Sequence, residues 1–183
     1  ADAAIVAAPH DRVASLLKGV GGALERAAVQ AARIETSPIV GVHLTFDRPV
    51  LPLPHAVLVE RPTQWVFRKD DAGTRVHAVI SAADDLLPVS SAEIIERVVT
   101  DLHACFPASA GAEPSVARVV KERRATFSFT PSFRELRPDA LVDPAVPIAL
   151  AGDYVTTGWP ATMESAVRGG RLAADALLGA DAG

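Results

Sequence analysis

The residues best suited to chemistry lie near the C-terminal end. The apolar run 146–151 (VPIALA) leads into Gly152 and Asp153, then into a polar turn ending in Gly158-Trp159-Pro160, and finally into a helical stretch entered through Thr162, Met163 and Glu164. A helix start presents N–H groups with no intrahelical acceptor and a partial positive charge, so it stabilises an anion or a carbonyl that gains negative charge on reduction. A carboxylate at a strand end, here Asp153, can accept hydrogen bonds from the hydroxyls of a nucleotide-type cofactor. Each residue also has an ordinary reading: Asp153 as a turn residue, Trp159 as core packing.

The elements that position these residues follow from periodicity. Residues 1–8 (ADAAIVAA) predict a buried strand. Pro9, His10 and an N-cap at Asp11 then lead into a helix carried by Val13, Leu16, Leu17 and Val20 and stopped at Gly19 or Gly21. This reads as the last strand–helix step of a larger nucleotide-type sheet. From residue 40 the period becomes two, with Val40, Val42, Leu44 and Phe46 on one face. Further strands are expected over 55–60, 63–68 and 74–81, with turn chemistry at 70–73. Ser90-Ser91-Ala92-Glu93 is a capping box ahead of a helix with Ile95, Val98, Val99, Leu102 and Phe106 on one face and Pro107 at its end. Residues 116–130 read as extended segments broken by the charged stretch 121–124. In the last helix, Met163, Ala166, Val167, Gly170, Ala174 and Leu177 are the expected packed face, opposite Glu164, Arg168, Arg171 and Asp175. Gly169 and Gly170 each cost about 1 kcal/mol relative to Ala inside a helix, and close approach of another backbone is the expected reason.

Composition narrows the function. With 183 residues, 49% of them hydrophobic, the chain has material for a sizeable core. Its net charge of −4 argues against a generic nucleic-acid binder. Cys105 is the single cysteine, so neither an intrachain disulfide nor a Cys-rich metal site is available. His10, His43, His55, His77 and His103 show no metal-type spacing, and no serine sits in a nucleophile elbow. No apolar run approaches the roughly 20 residues that span a bilayer, and a cytoplasmic protein, with peripheral association to the inner membrane left open, is expected.

Residues 151–178 (AGDYVTTGWPATMESAVRGGRLAADALL) resemble the C-terminal FAD-contacting motif of the amine oxidase/phytoene desaturase flavoproteins. Ser37-Pro38-Ile39-Val40-Gly41-Val42-His43-Leu44, Phe46-Asp47-Arg48-Pro49-Val50, Gln64-Trp65-Val66-Phe67, Arg124-Ala125-Thr126-Phe127 and Thr157-Gly158-Trp159-Pro160-Ala161-Thr162-Met163-Glu164 are together similar to the squalene-associated FAD-dependent desaturases, the hydroxysqualene dehydroxylases. The resemblance implies reductive replacement of the hydroxyl of hydroxysqualene by hydrogen, giving squalene for hopanoid synthesis, with a carotenoid or phytoene desaturase or an amine oxidase as alternatives. It implies FAD contacts from Gly152, Asp153, Trp159, Pro160, Thr162, Met163 and Glu164, and a polyisoprenoid-lining role for Trp65 and Phe67. No catalytic residue is assigned.

The family's Gly-x-Gly-x-x-Gly turn does not occur here: Gly19, Gly21 and Gly22 follow a helix, and Leu24 stands where the third glycine belongs. The expected fold class is therefore α/β (α+β): a mixed-sheet substrate lobe with a covering helix, plus the C-terminal strand and helix of a Rossmann-like FAD-binding domain. Residues 1–36 and 131–183 would serve the cofactor and 37–130 the substrate, with an N-terminal FAD-binding half of the same enzyme as partner. The isolated fragment would bind FAD weakly or not at all. A non-catalytic binding module that has lost the cofactor half is the further alternative.

Overall fold

The computed structural model describes residues 2–180. In chain order the elements are β1 (Ala4–Val6), α1 (His10–Leu16), α2 (Gly22–Ala31), β2 (Thr36–Phe46), β3 (His55–Val57), β4 (Trp65–Arg68), β5 (Arg75–Ser81), α3 (Ser91–Cys105), β6 (Pro114–Phe127), α4 (Phe133–Leu136), β7 (Ile148–Leu150) and α5 (Met163–Ala180). They form two compact units. One takes the residues up to Glu35 and those from Phe127 onward; the other is Thr36–Thr126.

The Thr36–Thr126 unit is built on a five-stranded sheet in the order β3-β4-β5-β2-β6. Antiparallel pairing sets Val42 opposite Ala78 and Val66 opposite Ala78 on its other side. Period-two alternation therefore sends Val40, Val42, Leu44, Phe46, Val66, Val76 and Ala78 to one face, where they form a single core with Ile94, Val98 and Leu102 of α3. Ser90 Oγ accepts from Glu93 N–H at 3.2 Å, but the Glu93 carboxylate turns to Arg97 at 2.6 Å and does not close the expected box. Ile94, not Ile95, is the fully buried position, because the i, i+4 line 94–98–102 faces the sheet and Ile95 falls at its margin. The charged stretch 121–124 does not break the chain's path: β6 is one continuous 14-residue edge strand, which tolerates charge on its open side. Lys121 reaches back to the carbonyls of Leu87 and Val89.

In the other unit, β1 and β7 pair in parallel, with Ile5 opposite Ala149. Val13, Leu17, Leu24, Ala28, Leu150, Tyr154 and Ala173 share its core. The opening strand is shorter and more open than expected. Only Ala4–Val6 is extended and Ile5 is 46% exposed, since β1 is hydrogen-bonded along one edge only; Ala1 lies outside the described residues. Asp11 is not the cap of α1. The first turn closes on the Pro9 carbonyl, which accepts from Arg12 N–H at 2.8 Å, so the helix begins one residue earlier. The glycines after it do not end the helical region either. They turn the chain into α2, an element absent from the sequence reading, and the Glu25 carboxylate accepts from the N–H groups of Gly19 and Gly21 at its entry.

The packed face of α5 is also rotated from the expected one. Ser165, Gly169 and Ala173 are buried, whereas Met163 is 89% exposed and Val167 lies open. The cause is contact at Gly169: a Cβ there would lie 2.6 Å from the Gly152 carbonyl oxygen, so only glycine lets the helix approach the end of β7. Gly170 has open space around its Cα, and close approach does not explain it. Among the described residues no helix is long and apolar enough to cross a membrane.

Candidate functional site

The segment joining β7 to α5 is held by residues the sequence did not single out. Gly152 has φ +150°, and a side chain there would strike the Tyr154 ring at 2.6 Å. Tyr154 folds back against it into the core. The Tyr154 hydroxyl is buried with no partner among the described residues, and burial, reinforced by the Asp153 carboxylate, pushes its pKa up to about 12.

Beneath this segment lies Arg137, just past α4. Its Nη1 donates to the Trp159 carbonyl at 3.0 Å. Its Nε donates to the Tyr154 carbonyl at 3.4 Å, and its Nη2 to the carbonyls of Asp153, at 3.1 Å, and Val155. The same Nη2 meets Ser165 Oγ at 3.2 Å and Thr157 Oγ1 at 3.5 Å. The guanidinium lies over the Phe133 ring at 5.5 Å. Burial lowers its pKa and Asp153 opposes that, and the group remains a cation. Thr156 ties the two stretches again, its N–H to the Pro138 carbonyl at 2.8 Å and its hydroxyl to the Arg137 carbonyl at 3.1 Å.

At the start of α5, Thr162 is the cap: its hydroxyl accepts from Ser165 N–H at 3.4 Å. The N–H groups of Met163 and Glu164 meet no acceptor among the described residues, and both side chains are exposed. Trp159 is 44% exposed, so the core-packing reading fails; one face of its ring carries the Arg168 guanidinium at 4.3 Å, itself paired with Glu164 at 2.8 Å. Beside it runs an open groove of about 470 Å³ lined by Phe129, Phe133, Arg137, Thr156, Trp159 and Pro160. The Asp153 carboxylate stands half-buried at the β7 end of the same segment. Free amide donors, an accessible indole and a shallow groove together can accommodate a planar ring that gains negative charge on reduction.

Trp65 and Phe67 lie in the other unit, on the sheet face opposite α3. Their rings are stacked, with centroids 5.7 Å apart and planes 9° from parallel. The strand register sets His55 opposite Phe67, Phe67 opposite His77 and His77 opposite His43, making a cross-strand row of four rings. His43 and His77 stack at 4.1 Å, and Gly41 leaves room for His77, whose Nε2 would be 2.9 Å from a Cβ there. Burial, then the neighbouring His43 and Lys69, holds the His77 imidazole below its ordinary pKa. Sequence spacing missed this row because its members come from four strands. Strand alternation was the available signal, since it already set His43 off the core stripe.

A parallel β1–β7 pair feeding a glycine-packed helix, beside a separate antiparallel sheet bearing aromatic rings, defines a flavoprotein oxidoreductase class of fold. The sequence profile of flavin-containing amine oxidoreductases matches residues 1–178, and the chain belongs to that family of FAD-dependent enzymes. The chain is 35% identical over 97% of its length to a hydroxysqualene dehydroxylase of Sinorhizobium fredii, and 32% identical over 98% to one of Rhodopseudomonas palustris. It is 27% identical over 97% of its length to a 15-cis-phytoene desaturase of Synechococcus elongatus. It spans about two-fifths of the length of these relatives, 39%, 39% and 40% in turn. In fold it is similar to a reduced UDP-galactopyranose mutase, with a TM-score of 0.69 at 13% identity, over 97% of this chain and 41% of that one. A putrescine oxidase variant gives 0.66 at 18% identity, over 95% and 42%.

Proposed function

We propose that this chain is the C-terminal part of an FAD-dependent oxidoreductase that acts on a polyisoprenoid and replaces the hydroxyl of hydroxysqualene with hydrogen, giving squalene for hopanoid synthesis. The observation that carries the reading is the identity of 32–35% to hydroxysqualene dehydroxylases over nearly the whole chain, against 27% to a phytoene desaturase over the same span. When bound and reduced, FAD supplies the two electrons that this replacement needs.

In this reading the segment after β7 holds the cofactor. Gly152 keeps the approach to α5 close, and the Asp153 carboxylate accepts from the ribityl hydroxyls. The free N–H groups of Met163 and Glu164, with Thr162 capping beneath them, donate to the pyrimidine edge, while Trp159 and Pro160 flank the ring. The Arg168 guanidinium occupies one face of Trp159, so contact with a cofactor falls to the indole's remaining surface. Trp65 and Phe67 give the 37–130 lobe an aromatic surface for a hydrocarbon chain, which binds by area and shape rather than by polar contacts. An N-terminal half of the same polypeptide holds the pyrophosphate, and the enzyme is cytoplasmic, meeting its apolar substrate at the inner membrane surface.

The test is anaerobic incubation of the full-length polypeptide with reduced FAD and hydroxysqualene, alongside a reaction with oxidised FAD and phytoene. Squalene in the first supports the reading. Desaturated phytoene with no squalene overturns it in favour of a carotenoid desaturase, the alternative that the Synechococcus relative supports.

A further inference from the structure

The six acceptors gathered on Arg137 set a steric and electrostatic problem that few side chains solve. The carbonyls of Asp153, Tyr154, Val155 and Trp159 point at one locus, with the hydroxyls of Thr157 and Ser165. Converging carbonyl oxygens repel one another, and leaving them partly buried without donors costs free energy. A guanidinium resolves this with five N–H groups in a rigid fork; an ammonium has three donors on a flexible stem. The grip spans the β7 end, through the Asp153 carbonyl, and the first turn of α5, through Ser165. Trp159 sits between them, its own carbonyl held by Nη1. Everything that sets the attitude of the indole and of the leading N–H groups of α5 therefore passes through this one side chain.

We infer that Arg137 is a positioning residue for the flavin. It draws the loop carbonyls inward, fixes Trp159 and the start of α5, and adds a sheltered positive charge beneath the helix end that meets the cofactor's electron-rich edge. The inference rests on the reading that this loop faces the flavin. All of the guanidinium's printed partners are protein groups, so it acts through the loop and through its field. A partly buried charge is screened less than an exposed one, and it favours the reduced, more negative form of a neighbouring ring.

The test uses the flavin-loaded full-length protein and two substitutions. Arg137→Lys keeps the charge and loses the fork; Arg137→Gln loses both. FAD binding is expected to weaken about tenfold in each, the lower end of what loss of a supporting shell costs at a bound cofactor or metal. The midpoint potential of bound FAD is expected to fall further in Arg137→Gln than in Arg137→Lys, a readout that a purely structural role would not move. Wild-type affinity and potential in both folded variants overturns the inference. Should neither variant fold, Ser165→Ala removes one of the acceptors without burying a charge. It is expected to weaken FAD in the same direction by a smaller factor, and unchanged binding there overturns the inference too. If wild-type protein holds FAD and the variants match it, only the role of Arg137 falls; if wild-type protein holds no FAD, the flavin reading falls with it.

Discussion

The Tyr154 hydroxyl illustrates how a single polar atom can work against the fold that contains it. The ring is wanted, since it fills the core beneath Gly152, but the oxygen is buried with no partner among the described residues. An unsatisfied buried hydroxyl costs desolvation and returns no hydrogen bond. Tyr154→Phe should therefore leave stability at pH 7 unchanged or raise it by up to about 1 kcal/mol, read from urea unfolding. The same residue sets an alkaline limit. Its pKa rises from 10.0 to about 12 on folding because burial, with Asp153 beside it, disfavours the phenolate. The neutral phenol's contribution is fully present below pH 10 and is lost as pH rises from 10 toward 12, where the unfolded chain ionises first. Unfolding curves across that window should show the loss in the wild type, and Tyr154→Phe should lack this component. A wild-type-like slope in the variant would mean that another group carries the alkaline limit.

At the scale of the element, α5 contains a built-in control. Gly169 and Gly170 have the same intrinsic helix cost, yet only Gly169 packs on backbone. Gly169→Ala would set a methyl group 2.6 Å from the Gly152 carbonyl and should destabilise by about 1–3 kcal/mol, as overpacking does. Gly170→Ala has open space and should stabilise by about 0.5–1 kcal/mol. Opposite shifts of the urea midpoint check the pair, and equal shifts would mean that the helix seat is wrong. The sequence flagged these glycines as a contact, but it could not say which one touched, because 165–169–173 and 163–166–170 are both acceptable helical stripes. Strands were clearer. The alternation from Val40 to Phe46 fixed one face of β2 without ambiguity, because a period of two leaves no choice of phase. α2 escaped notice because small residues, Ala28 and Ala31, carry most of its buried face and glycines precede it. Arg137 could not be found from sequence at all: its partners are chiefly main-chain carbonyls, and those carry no residue-type signal.

For the whole molecule, the decisive feature is that the chain enters and leaves the 36–126 unit at neighbouring points. Ser128 N–H donates to the Glu35 carbonyl at 2.9 Å, so the two ends left in the other unit are one hydrogen bond apart. Each hydrophobic core draws only on residues of its own unit: the sheet and α3 supply one, and α1, α2, β7 and α5 supply the other. A segment with its own core and adjacent ends has the anatomy of an inserted domain, and such segments fold alone when their apolar burial is sufficient. Thr36–Thr126 expressed by itself should therefore give a single cooperative urea transition, with Trp65 fluorescence and far-ultraviolet circular dichroism changing together. Residues up to Glu35, joined by a short glycine-rich linker to those from Phe127, should likewise retain helical signal from α2 and α5. Non-coincident transitions in the excised unit, or a signal already unfolded without denaturant, would show that its core depends on the rest of the chain and that the two units are one folding domain.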